Sequence, residues 1–577
     1  MNTTAPNPPW LAAYGHDIPK ELTPSPWRNL AELAHQSAAS FGKKRAFTCV
    51  VPNGMNGSLS FAQVGAMSDA FASFLRHECK LEPGARVAVQ LPNGLAYPIA
   101  AFGAFKAGCV LVNTNPLYTP SEMIHQFRDS GAEMLVISDM FTDKLAEVIP
   151  QTHIRHVVLA GVPEFFPAIP RTIIRGVQKV WSRSLPPVPA LSVPVTRMAS
   201  AVTRGARLPV VTDWDRIGPD DLALLQYTGG TTGVAKGAML THGNILANLE
   251  QVRAMGGTRM TDQDCVLTAL PVYHIFAFTA NLMTFFAIGA RNILVPSPRP
   301  VRNVQRALEN YPVTWITGVN TLFNALLNEE WFAAYPPKTL KAAIAGGTAL
   351  HVAVAERWEK VTGTRLAEGY GLTETAPLVT FAPFGQPARP GSIGVPVPGT
   401  QIALVDDAAE PVADGAPGEL LVRGPQVMRG YWMRPEDTAK TIQNDWLFTG
   451  DVAVMDPDGY LRIVDRKKDM VLVSGFNVYP NEVEDCLAKL DSVLEAAVVG
   501  TPDRQTGEAV RAYVVQNPDA PQPVSRDAVI AHCRKHLAPY KVPKSVIIRD
   551  ELPKSPIGKI LRKDLKAEIR AEFAAKG

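Results

Sequence analysis

The segment from Tyr227 to Gly237, YTGGTTGVAKG, holds four glycines, three threonines and one lysine in eleven residues. Gly229, Gly230 and Gly233 lack a Cβ, so the backbone can turn tightly and bring its N–H groups close to a ligand. Consecutive backbone N–H groups form a concave nest suited to phosphate oxygens. Thr228, Thr231 and Thr232 add hydroxyl donors, and Lys236 adds a compact cation. The chemistry this composition offers is polyphosphate binding beneath a flexible lid. It also fits a plain Gly/Thr-rich surface loop. The spacing is not that of a Walker A loop, because Gly237 follows the lysine where Ser or Thr is required.

Other polar groups stand at the ends of apolar runs. Ala345-Gly346-Gly347-Thr348 closes the run KAAIAGG, and strand ends in open α/β sheets are where ligands collect. LAEGYGLTET (366–375) is a second strand-to-loop passage with polar groups at its end. Asp465-Arg466-Lys467-Lys468-Asp469 is a charged knot between two apolar runs, and Pro553 to Lys559 (PKSPIGK) is a rigid loop that presents lysines.

The elements that must position these groups are legible from periodicity. Phe61, Val64, Met67, Phe71, Phe74 and Leu75 recur at helical spacing, which predicts an amphipathic helix over 61–78. RVAVQL (86–91), CVLVNTN (109–115), LVIS (135–138) and HVVLA (156–160) read as buried strands, with a helix-like stretch at 96–107. Strands alternating with helices predict a mostly parallel sheet with helices on its faces. From 391 to 464 the pattern changes to short β segments with Gly/Pro/Asp turns, a β subdomain. The last ~110 residues read as a small α+β domain, with Ser525 as a helix N-cap. The expected organisation is α/β: residues 1–465 a large layered domain including the β subdomain, and 466–577 a second domain.

Residues 164–210 break the rhythm with seven Arg or Lys against one acid, Glu164. Arg171, Arg175, Lys179 and Arg183 fall every four residues, and Ile173, Ile174, Val177, Val180, Trp181 and Leu185 fit an apolar face of the same helix. A basic amphipathic helix with a tryptophan can lie in a membrane interface, and any surface helix packed on its domain shows the same pattern. The proline-rich SLPPVPALSVPV follows as a connector.

Composition bounds the function classes. The chain has 577 residues, 46% of them hydrophobic, and a net charge of +3. That balance argues against a general nucleic-acid binder. The six cysteines are scattered with no C-x-x-C pair, which fits a reducing cytoplasm. The start lacks the basic-then-apolar pattern of a signal peptide, and no uncharged apolar run is long enough for a spanning helix.

The ordered set YTGGTTGVAKG, PVYHIFAF (271–278), GYGLTET (369–375), WLFTGD (446–451), DRKKD and PKSPIGK resembles the acyl-adenylate-forming superfamily, which includes acyl-CoA synthetases, adenylation domains and luciferase. The branch it is most similar to is that of bacterial long-chain fatty-acid–CoA ligases, through TGVNTLFNALLN and DRKKDMVLVSGFNVYPNEVED. Gly229 stands where serine is usual in the first motif, and Ala235 where proline is usual.

The resemblance implies a two-step reaction with ATP, Mg²⁺ and coenzyme A. A fatty carboxylate attacks the α-phosphate to give acyl-AMP and pyrophosphate, and the CoA thiol then displaces AMP. It implies that Thr228 to Lys236 hold the β and γ phosphates, that Glu374 helps to hold Mg²⁺, and that Thr373 contacts the α-phosphate. Tyr370 would lie against adenine, with Gly346, Gly347 and Gly371 nearby, Asp451 on the ribose hydroxyls and Arg466 on ribose or phosphate. Lys559 would bridge the carboxylate and α-phosphate. The small domain would be mobile, with Lys468 as hinge, and its rotation would exchange Lys559 for Ser474, Gly475 and Phe476 along the pantetheine tunnel. His274 would either gate the carboxylate site or assist thiol deprotonation; a merely packed histidine is equally compatible. His242 reads as structural. VTWITGVNTLFNALL (313–327) and the aromatic run Tyr273 to Phe286 are candidates to line an acyl tunnel, and equally ordinary core.

The expectation is a cytoplasmic long-chain fatty-acid–CoA ligase, in contact with the inner membrane face through 171–185 if that helix binds lipid, with a homodimer compatible with the resemblance. The rivals are a ligase for medium-chain or aryl acids, a fatty-acyl–AMP ligase that loads a carrier protein, and a non-catalytic acyl-nucleotide sensor.

Overall fold

The apolar runs between residues 86 and 241 come together as one twisted sheet in the computed structural model, which describes residues 8–228, 235–474, 476–556 and 558–574. Seven strands lie in the order Val195–Arg197, His156–Ala160, Ala132–Ser138, Arg86–Gln90, Val110–Asn113, Leu222–Thr228 and Lys236–Thr241. All neighbours are parallel except the last pair, an antiparallel hairpin registered Thr228↔Lys236. Fully buried Val, Ile and Leu along these strands match a parallel sheet covered on both faces.

A nine-stranded sheet packs beside it. Its parallel core runs Leu366–Gly371, Ala342–Gly346, Trp315–Gly318, Cys265–Thr268, Arg291–Leu294 and Arg45–Val50. Helices fill the space between the sheets. Helix Phe61–Ser73 opens with a reciprocal capping box between Ser60 and Gln63. It meets helix Ala96–Lys106 closely enough that a Cβ on Gly103 would lie 2.7 Å from Phe71 Cδ1. The helical stretch expected to reach residue 78 does so, its last turn being a π turn, Phe74–Glu78.

A third sheet of five strands, Gln401–Val405 to Leu461–Arg466, covers most of the β segment expected over 391–464. The turn 467–469 leads from Arg466 into a fourth sheet of five strands, from Val471–Val473 to Ser545–Arg549. Helices Pro480–Leu487, Arg526–His536 and Arg562–Ala574 pack against it, and Ser525 caps the second by accepting the Ala528 N–H.

The basic stretch is helical from Ala168 to Gly176 and continues as a π turn through Trp181. Its charges are not arranged as the four-residue spacing suggests. Arg175 turns inward and pairs at 3.2 Å with both Asp139 and Glu164, which are buried. Of the apolar residues only Ile174 is buried. Ile169, Ile173, Val177, Val180 and Trp181 face solvent, Trp181 at 88% exposure. No helix among the described residues is long and apolar enough to cross a membrane.

Candidate active site

The carboxyl ends of the parallel strands in the nine-stranded sheet supply one wall of the site. Gly346 ends one strand, and a Cβ there would lie 3.0 Å from Gly369 O and 3.1 Å from the Phe276 ring. Gly347 follows with φ +77°, a conformation that favours glycine. Gly371 has a structural reason of its own, because a Cβ on it would fall 1.8 Å from Pro377 O. The next strand end carries Tyr370, whose hydroxyl donates to Asp451 Oδ2 at 2.6 Å. Asp451 and Arg466 face one another across two antiparallel strands of the third sheet, and their side chains pair at 3.0 Å. Asp451 is only 3% exposed, so both carboxylate oxygens have protein partners and either can accept a second hydrogen bond. Burial, then Asp451, pushes the Tyr370 hydroxyl well above its ordinary value and keeps it a donor.

The strands Leu222–Thr228 and Lys236–Thr241, antiparallel partners, flank the Gly/Thr segment in sequence. Thr228 and Lys236 are the paired residues on either side of it; Gly229, Gly230, Thr231, Thr232 and Gly233 lie outside the described residues. The Lys236 ammonium pairs with Asp437 at 2.8 Å and stands 5.3 Å from the centre of the Tyr431 ring. The Tyr431 hydroxyl donates to Glu374 Oε1 at 2.7 Å. Thr373 opens the short 3₁₀ turn Thr373–Thr375, beside Glu374 and partly exposed. Mg²⁺ commonly takes one or two carboxylates and completes its shell with phosphate oxygens and water. One partly exposed glutamate beside the phosphate hairpin fits that habit. Among the described residues no group of three or more acidic, His or Cys side chains is arranged to hold a metal, so such an ion would depend on nucleotide oxygens.

Lys559 enters from the small domain. Ser555 and Lys559 close a tight hairpin, with Ser555 N donating to Lys559 O at 2.7 Å and Lys559 N to Ser555 Oγ at 3.1 Å. The hairpin rests on the large domain: Thr321 Oγ1 donates to Gly558 O at 3.3 Å and Arg299 to Ser555 O at 3.4 Å. Burial, with Arg466 adding repulsion, lowers the Lys559 ammonium to about 8, while Asp451 opposes the shift. His274 is within electrostatic reach of Lys559; burial and that charge lower it to about 4. The imidazole is therefore neutral near pH 7. Its Nδ1 accepts the Phe276 N–H at 3.3 Å, which leaves the proton on Nε2. This chemistry suits hydrogen-bond donation better than uptake of a thiol proton. His242 is buried and accepts the Leu30 N–H at 3.2 Å.

Ser474 (φ +51°) and Phe476 lie at an exposed hairpin of the small domain, and Phe476 stacks on Tyr540 with centroids 4.9 Å apart; Gly475 lies outside the described residues. Lys468 is the middle residue of the 467–469 turn between the two sheets. The small domain thus presents Lys559 beside Arg466 and Asp451, while Ser474 and Phe476 are exposed. Further ionic contacts span the large and small domains, among them Lys467 with Asp407 and Glu419 at 2.7 and 3.1 Å. His351 Nδ1 meets Asp485 at 3.0 Å. Arg562 reaches Asp465 across the boundary at 3.1 Å while pairing with Glu484 of its own domain at 2.6 Å.

Several of these groups had no sequence signal, among them Tyr431, Asp437, Arg562 and the His351–Asp485 pair. The aromatic run after Tyr273 is largely core: Phe286 stacks on Phe47 and Phe61 and packs on Phe102, and Phe278 meets Phe105 edge-on.

The match to known proteins agrees with this geometry. The model for AMP-binding enzymes matches residues 34–432, and that for the AMP-binding enzyme C-terminal domain matches 482–559. The chain is 47% identical over 565 residues to a long-chain-fatty-acid–CoA ligase of Escherichia coli O157:H7, covering 98% of each chain. It is 37% identical to the long-chain-fatty-acid–CoA ligase of Bacillus subtilis (strain 168), covering 97% of this chain and 98% of that one. Among solved structures, ATP-bound MatB from Rhodopseudomonas palustris superposes with a TM-score of 0.80 at 27% identity, covering 94% of this chain and 99% of that one. With these matches over nearly its whole length, the chain belongs to the family of AMP-binding enzymes.

Proposed function

We infer that this protein is an AMP-forming long-chain fatty-acid–CoA ligase that uses ATP, Mg²⁺ and coenzyme A. The observation that carries the reading is the near-complete match to long-chain-fatty-acid–CoA ligases. A site where Glu374, Asp451, Arg466 and Lys559 converge supports it.

In the first step a fatty carboxylate oxygen bonds to the α-phosphorus of ATP and the bond to pyrophosphate breaks. A carboxylate is already ionised near neutral pH, so this step needs no general base. It needs two anions held together, which is positioning and charge neutralisation. Lys559 and Arg466 supply fixed cations, the segment from Thr228 to Lys236 takes the β and γ phosphates, and Asp451 takes the ribose. Tyr370 gives adenine a flat surface, and Thr373 faces the α-phosphate. Glu374 would hold Mg²⁺, which would supply positive charge to the polyphosphate. In the second step the CoA sulfur bonds to the acyl carbon, AMP leaves with the electron pair, and the thiol proton goes to solvent. The small domain rotates about Lys468 between the steps, withdrawing Lys559 and bringing in Ser474, Gly475 and Phe476. His274 donates from Nε2 to the substrate carboxylate.

The exposed apolar face from Ile169 to Trp181, flanked by Arg171, Lys179 and Arg183, supports contact with an anionic lipid surface, where long-chain acids partition. Each buried CH₂ of such an acid is worth about 0.8 kcal/mol, so a long chain resides in lipid rather than in water.

The test is product formation with ATP, Mg²⁺ and acids of graded chain length, with and without CoA. Acyl-CoA formed only with CoA, and best from long chains, is the expected result. Acyl-AMP that CoA cannot consume would point to a carrier-protein-loading enzyme, and preference for short or aromatic acids would overturn the chain-length reading.

A further inference from the structure

The segment 428–432 stitches the phosphate hairpin to the Glu374 loop. Met428 N donates to Glu374 O at 2.8 Å; Met239 N donates to Gly430 O, and Trp432 N to Gly237 O, both at 2.8 Å. An isolated bridge joins Ala238 and Tyr431. Tyr431 is the side chain at the crossing. Its hydroxyl holds Glu374 Oε1 at 2.7 Å, and its ring lies beneath the Lys236 ammonium, 5.3 Å from centroid to nitrogen. Its own N–H donates to Thr438 Oγ1 at 2.9 Å, which fixes the start of helix Pro435–Thr441, the helix that carries Asp437.

We propose that Tyr431 is a positioning residue for ATP: its hydroxyl orients Glu374 toward the metal ion, and its ring seats Lys236 for the phosphates. This rests on the reading of Glu374 as the metal carboxylate. A hydroxyl that satisfies one carboxylate oxygen leaves the other directed at a cation, the role outer hydrogen bonds have around metal ligands. An ammonium over an aromatic face keeps its charge while its neighbours are fixed. Asp437 completes the seat. It pairs with Lys236 at 2.8 Å, and both side chains are about one-third exposed, so an arriving polyphosphate competes with it directly.

Calorimetric titration of the whole protein with ATP, in Mg²⁺ and again in EDTA, separates the two halves of the role. Tyr431→Phe keeps the ring and loses the hydroxyl. Its affinity for ATP in Mg²⁺ is expected to fall roughly tenfold, the scale of a hydrogen bond to a charged group, with binding in EDTA unchanged. Tyr431→Leu removes the ring as well and weakens both titrations. Glu374→Gln is the companion variant. If Glu374→Gln weakens binding only in Mg²⁺ while Tyr431→Phe binds like the parent protein, the Tyr431 proposal is overturned. If Glu374→Gln leaves the Mg²⁺ titration unaltered, the Glu374 reading fails and the proposal fails with it.

Discussion

Gly558 offers a substitution that should separate the two half-reactions. It precedes Lys559, has φ +93°, and lies against the large domain. A Cβ there would stand 2.7 Å from Thr321 Oγ1, 2.9 Å from an Arg299 terminal nitrogen and 3.2 Å from Val319 Cγ2. Two of these contacts are closer than side-chain atoms tolerate; the Arg299 end can swing aside, and the short Thr321 side chain or the hairpin itself must give way. Gly558→Ala therefore has two costs. The positive φ disfavours alanine by about 1–2 kcal/mol in either orientation of the small domain. The overlap with Thr321 and Arg299 exists only when the hairpin is docked, and overpacking of this kind costs about 1–3 kcal/mol. At about 1.4 kcal/mol per factor of ten, the ratio of docked to undocked small domain falls roughly 5- to 150-fold. Pyrophosphate release from ATP and fatty acid measures the step that needs Lys559 docked, and thioester formation from preformed acyl-AMP and CoA uses the other orientation. The ratio of the first rate to the second should fall by that factor, whichever orientation the resting protein favours. An unchanged ratio would refute the reasoning. A thermal melt of the variant guards against simple misfolding.

Three further outcomes are expected. Lys559 is a cation below about pH 8 and loses its charge above it, so kcat/KM for adenylation, which reports the free enzyme, should fall above about pH 8. Lys559→Arg should flatten that limb whatever its residual rate; an identical limb would mean that another group titrates. At His351, burial opposes protonation, but the hydrogen bond and charge of Asp485, with Glu484, hold the ring above its ordinary value. The contact with Asp485 is then complete below the ordinary histidine value and is lost as pH rises through the raised one, so mild acid should favour the docked orientation. Because Asp485 is more than half exposed the effect should stay below about 1 kcal/mol. The ratio of the two half-reaction rates between pH 6 and 8.5 should lose part of its pH dependence in His351→Asn, and a superimposable profile would sink the idea. Sedimentation with anionic vesicles should fall for the double variant Val180→Asp, Trp181→Asp, and also when Arg171, Lys179 and Arg183 are neutralised together; binding undiminished in both would exclude this face.

The strands at 86–90 and 156–160 and the helix from Phe61 are legible because each buries a face with a regular period, and the Ser525 cap because its signal is local. Glu374, Asp451, Arg466 and Lys559 are legible only through their ordered motifs, since nothing in a lone carboxylate or lysine distinguishes it. Tyr431 has neither advantage. It sits in a turn-rich stretch without a period, and its partner Glu374 is 57 residues away. The basic helix shows the same limit from the other side. Spacing placed Arg175 in line with its neighbours, but spacing carries no trace of Asp139 and Glu164, whose buried carboxylates draw it inward. Contacts remote in sequence decide which way such a side chain turns.

The carboxylate of Asp465 bears on how tightly this enzyme holds its thiol substrate. It is fully buried on the large-domain side of the 467–469 turn, yet it accepts from Arg562 at 3.1 Å and from Asn481 N at 2.8 Å, both beyond the turn. Rotation about Lys468 as proposed would strip a buried anion of partners, and removing one partner of such a pair commonly costs about 3–5 kcal/mol before water or new contacts offset it. The resting population would then lie toward the adenylating orientation. Coenzyme A would meet mostly a form that cannot receive it, and its apparent dissociation constant would be the intrinsic one divided by the competent fraction. Residues that never touch the thiol would thereby set the concentration of coenzyme A at which it is captured.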